Sequence, residues 1–90
     1  MSDITWDEVT KRKFDLMISK MPLFHRKVAE SLVSGKAIKL AQERNSSIVE
    51  EQDVVKAFFN DVPKPFEAMM IKVMEEAGFD YKKYGFGISK

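Results

Sequence analysis

RNSSIVEEQDVVKAFFN, residues 44–60, ends one helix and starts another. Asn45, Ser46 and Ser47 offer their own side chains to the backbone and so favour a break. Ile48 and Val49 then read as a short, extended, buried connection. Glu50, Glu51 and Asp53 follow where a helix N-terminus carries partial positive charge. Val54, Val55, Phe58 and Phe59 form an inner face at helical spacing. The pattern predicts a helix over about 50–60, closed by Asn60-Asp61-Val62-Pro63.

Working back from Arg44, apolar residues recur at helical spacing to Leu23: Phe24, Val28, Ala29, Leu32, Val33, Ala37, Ile38, Leu40 and Ala41. The stripe is wide, as in a central helix packed against two or more others. Ser34-Gly35 lies in mid-helix, where glycine costs about 1 kcal/mol relative to alanine; either a neighbouring helix crosses closely there, the favoured expectation, or the helix breaks in two. Pro22 starts this helix, because a first-turn position has no use for the missing N–H. Before it, TWDE at 5–8 reads as a capping box between Thr5 and Glu8. Trp6, Val9, Phe14, Met17, Ile18 and Met21 make the inner face of a helix over about 6–20, with Lys11, Lys13 and Asp15 outward.

Beyond the third helix, Pro65 opens a fourth. Phe66, Met69, Met70, Val73, Met74 and Ala77 point inward and Gly78 stops it. FDYKKYGFGISK closes the chain, packing through Phe79, Tyr81 and Tyr84 and fraying over its last residues. The fold class is therefore all-α: one small domain, 1–90, with helices at about 6–20, 23–44, 50–60 and 65–77 and a short C-terminal tail, 79–90.

Composition narrows function by exclusion. The 15 basic and 14 acidic side chains leave a net charge of +1, which makes nucleic acid an unlikely partner, because its binders neutralise phosphates with clustered Lys and Arg. The charge is uneven: 22–47 sums to +3 and 48–61 to −3, as for two adjacent helices of opposite sign. The chain has no cysteine, so thiolate metal sites, disulfides and iron–sulfur ligation are outside its chemistry. It shows no secretory signal and no apolar run near the roughly 20 residues of a membrane span. The expected location is the cytoplasm.

His25 is the only histidine. Metal binding would need a second ligand at i+3 or i+4, and those positions are Val28 and Ala29. His25 therefore reads as a helix-boundary residue and the metal set as none. Arg26 and Lys27, in a first turn, are a candidate anion or partner contact; their bland rival is a solvated basic turn facing the acidic start of the third helix. Met69, Met70 and Met74 read as core before they read as an adaptable groove. Neighbouring helical residues point about 100° apart, so Glu50-Glu51 and Glu75-Glu76 are solvated faces and not acid/base pairs. GFG at 85–87 is a flexible end. No catalytic residue and no cofactor is assigned.

Trp6, then MPLFHRKVAE with Pro22, Phe24 and Arg26 in order, then AIKLAQERNSSIVEEQDVVKA carry a resemblance over about residues 6–57. The chain resembles the small helical domain at the C-terminus of the B subunit of light-independent protochlorophyllide reductase, which also occurs as short stand-alone proteins. Asn45 stands where a glycine is typical of it. The resemblance implies a non-enzymatic accessory or protein-interaction domain, since the cluster chemistry of that enzyme needs cysteines this chain lacks. If a tetrapyrrole is bound, the resemblance points to Phe24, His25 and Arg26, with Arg26 meeting a propionate. A second stretch, GKAIKLAQERNSSIVEEQDVVKAF, is similar to the end of the long middle helix, the second loop and the third helix of the histone fold. By count, the loop arginine that pairs with the third-helix aspartate falls at Ser46, two residues after Arg44. That alternative implies a histone-like dimer with some DNA contact. The chain is thus expected to be a monomer or homodimer with a protein partner; a tetrapyrrole-binding protein is the third reading.

Overall fold

The structure, a computed structural model, describes residues 4–61 and 64–85. Pro22, with φ −56° and ψ 143°, turns the chain into a helix of 21 residues, α2 (Leu23–Glu43). At about 1.5 Å per residue that is some 31 Å of helix. The helices around it are short: α1 (Glu8–Ser19), α3 (Glu51–Asp61) and α4 (Glu67–Ala77). Short partners cannot cover a long helix end to end. The core accordingly gathers on the later part of α2, where Val33, Ala37 and Ala41 meet Phe14 and Met17 of α1, Val54, Val55 and Phe58 of α3, and Met74 of α4. The all-α bundle is as expected, and none of the described helices is long and apolar enough to cross a membrane.

Two local solutions set how α2 hands over to α3. Asn45 adopts φ +63°, a left-handed conformation that asparagine tolerates better than most side chains. The Ser46 N–H then donates to Ala41 O and the Asn45 N–H to Gln42 O, each at 2.9 Å, satisfying carbonyls at the helix end. Asparagine thus fills the position where a glycine is usual. At the start of α3, the Asp53 carboxylate accepts from the Glu50 N–H at 2.8 Å, as in the second half of a capping box.

The N-terminus differs from the sequence expectation. Thr5-Trp6 is not the first turn of a helix but a short strand, β1 (Thr5–Trp6), parallel to β2 (Ile48–Val49) in the register Thr5–Ile48 and Trp6–Val49. The Thr5 N–H donates to Ser47 O and the Asp7 N–H to Val49 O. The cap of α1 is consequently Asp7, whose carboxylate accepts from both the N–H and the hydroxyl of Thr10. The Thr5–Glu8 capping box is not formed. Of the connection expected to be buried, Val49 is buried and Ile48 exposed.

Other departures follow from packing. Val9, Phe66 and Met69 were expected inward and are exposed. Among the described residues no helix crosses at Gly35: a Cβ built there meets nothing within 4 Å, and α2 runs through it unbroken. The fourth helix is preceded by a 3₁₀ turn (Lys64–Phe66), so its α-helical part starts at Glu67 and not Pro65. Gly78 closes it at φ +93° as expected. The tail packs: Phe79 and Tyr81 are buried, and Tyr81–Tyr84 forms a 3₁₀ turn. Residues 62–63, part of the expected stop of α3, and 86–90, the expected frayed end with most of GFG, lie outside the described residues.

Candidate functional site: an open apolar face

The segment singled out in the sequence, Met21 to Lys27, is built by the α1–α2 turn. Met21 is buried, and its N–H donates to Ile18 O. Arg26 folds back over this turn. Its Nε donates to Met21 O at 3.0 Å and its Nη2 to Ser19 O at 2.7 Å. The guanidinium thus satisfies carbonyls at the end of α1 and complements the negative end of that helix. It does not face the acidic start of α3, so that part of the expectation is corrected. Lys27 is exposed.

With Arg26 held back, the first turns of α2 present carbon to solvent. Leu23 is 76% and Phe24 78% exposed, and Val28 and Leu32 are exposed as well. Phe24 stacks on His25 with ring centroids 4.2 Å apart, and His25 stands 6.1 Å from the Phe66 ring. A groove of ≈ 220 Å³ runs beside this row. Val28, Ala29 and Leu32 form one wall, Phe66 and Met69 the other, and Met21 and Met70 lie among its lining, with His25 and Asp61 as its polar members. Of the four residues marked in the sequence, the structure brings Phe24 and His25 to this face, ties Arg26 to α1 and leaves Lys27 in solvent.

Leu32, Phe66 and Met69 were missed as site residues because helical spacing assigned them to the core. Phe24, Val28 and Leu32 recur every four residues, whereas Val33, Ala37 and Ala41 recur every four on the opposite side. Two such registers on one helix were the available signal.

The strongest polar contacts lie elsewhere and hold the fold. Arg44 spans the α2–α3 junction, donating from Nε to Asp53 Oδ1 at 2.9 Å and from Nη2 to Asp53 Oδ2 at 2.7 Å. Its hydrogen bond to Asp53 raises the arginine pKa further above its ordinary value. Arg44, not Ser46, is therefore the loop-side partner of Asp53. Glu50 also accepts from Arg44. Glu51 accepts from the Asp80 N–H at 2.8 Å and pairs with Lys13 at 3.6 Å. The Tyr81 hydroxyl donates to Glu75 at 2.7 Å, which pushes the phenol pKa up. Glu50, Glu51 and Glu75 are thus engaged in the fold and are not merely solvated faces.

A family model described as a protein of unknown function, DUF2621, matches residues 1–86. The chain belongs to the DUF2621 family. No curated protein and no solved structure matches it.

Proposed function

We propose that this DUF2621 chain is a non-enzymatic protein-interaction domain that docks through the apolar face of α2 and α4. The observation carrying the proposal is the row Phe24, Val28 and Leu32 on α2, all exposed, with exposed Phe66 and Met69 across the groove that Val28 and Leu32 line. Contiguous apolar surface of this kind is the usual mark of a docking site. The engaged state of Arg44, Asp53, Glu51 and Glu75 supports the same reading, because these polar groups serve the fold. The resemblance of residues 6–57 to the C-terminal helical domain of light-independent protochlorophyllide reductase supports an accessory role, in the cytoplasm. The tetrapyrrole alternative would need Arg26 to leave the carbonyls of Ser19 and Met21. The histone-like alternative needs DNA contact as well as pairing, and a net charge of +1 weighs against it.

A photo-reactive residue placed at position 24 tests the docking role in cells, with one at exposed Lys56 as control. Discrete protein adducts are expected from position 24 and not from position 56. Failure to form any adduct at position 24 contradicts the proposal.

A further inference from the structure

We infer that the open face of α2 is self-pairing and that a second copy of this chain covers it. The inference rests on the docking role proposed above and names its occupant. At about 100° per residue, Phe24, Val28, Ser31 and Gly35 fall within about 60° of one another on the helix. All four are exposed. Val33 and Ala37, which are buried, lie on the opposite side. Along the exposed line the order is large, large, small, small.

That order is complementary to itself when reversed. A two-fold contact brings residue i to j and j to i. With the axis midway between Phe24 and Gly35, two antiparallel copies of α2 place Phe24 of one over Gly35 of the other. Val28 of one then lies over Ser31 of the other. Each large side chain meets a small one along about 16 Å of helix.

Gly35 supplies an independent argument. It stands inside an unbroken helix, where glycine is disfavoured, and apart from its chain neighbours and the backbone of its own helical turns nothing described lies within 4 Å of its added Cβ. No contact among the described residues asks for a glycine there. A phenylalanine ring from a second copy does. The area agrees: Leu32, Phe66 and Met69 stand beside the line around the groove, and with Phe24 and Val28 they are 40–78% exposed, on the order of several hundred square ångströms of apolar surface. That is the scale of the roughly 800 Å² per partner that a specific interface takes. No charged residue lies on the line; the positive charge of 22–47 stands beside it on exposed Lys27 and Lys39, where salt screens it. A small apolar ligand in the groove would leave Phe24 and Gly35 unexplained, because neither lines it.

Sedimentation equilibrium of the full chain, from micromolar to millimolar concentration, tests the inference with Phe24→Glu and Gly35→Leu alongside the parent. The parent is expected to approach twice the 10.4 kDa chain mass, and both variants to stay at one. Gly35→Leu is the decisive variant. Leucine is a better helix former and has open space here, so the thermal midpoint measured in dilute solution holds or rises while pairing is lost. A parent that stays at 10.4 kDa overturns the inference, as does a dimer that survives Gly35→Leu. The docking role fails separately: adducts from position 24 to a different protein, with a monomeric parent, overturn self-pairing alone, and no adduct removes both.

Discussion

Asp53 is 1% exposed and carries three hydrogen bonds: two from the Arg44 guanidinium and one from the Glu50 N–H. A carboxylate out of water is tolerated only when its oxygens are satisfied in this way. One side chain therefore ends α2, through Arg44, and starts α3, through Glu50. Removing it leaves a half-buried guanidinium and a helix N–H without their partner. Asp53→Ala is expected to cost about 3 kcal/mol, near the low end for breaking a buried pair because Arg44 is partly exposed. Urea unfolding measures this, and Arg44→Lys is expected to recover little of the loss from Arg44→Ala, since an ammonium cannot reproduce the planar fork.

At the scale of elements, the N-terminus of α1 carries a pH dependence of known sign. The Asp7 carboxyl is held below the ordinary aspartate range, first by the Thr10 N–H and then by the Thr10 hydroxyl. A carboxyl with a lowered pKa in the folded state adds stability that is complete above its unfolded value, about pH 4. That stability is lost as pH falls through the lower folded value. Asp7→Asn is therefore expected to be less stable than the parent at neutral pH, with the two converging as the solution is acidified below about pH 4. Thermal midpoints taken across that range check the convergence.

Much of this element pattern was legible from local chemistry. Pro22 opening α2, Asn45-Ser46-Ser47 closing it, the acidic start of α3 and Gly78 ending α4 each act within a few residues of themselves. The strand pairing was not legible, because Thr5-Trp6 is defined by Ile48-Val49 far along the chain. Thr5 and Glu8 fit a capping box locally, and only the distant partner overrides it. Arg26 was misread for a related reason: its reach back to Ser19 depends on the angle between α1 and α2. Of the site, the sequence showed the stripe on α2 but not that its first half would lack a covering helix. That follows from the unequal lengths of α2 and its neighbours.

For the whole molecule, the consequence is a two-faced central helix. One face, through Val33, Ala37 and Ala41, organises the core; the other, through Phe24 and Val28, remains open. The open face is the least stable arrangement for those side chains in water, which is why a docking role is assigned to it. A single fluorinated phenylalanine at position 24 reads this directly, through the change in its fluorine resonance between H₂O and D₂O. In dilute purified protein the ring is expected to show the solvent isotope shift of an exposed group. At high concentration, and in intact cells, that shift is expected to collapse as the ring becomes covered. A full isotope shift under every condition would contradict the claim that this face is an interface.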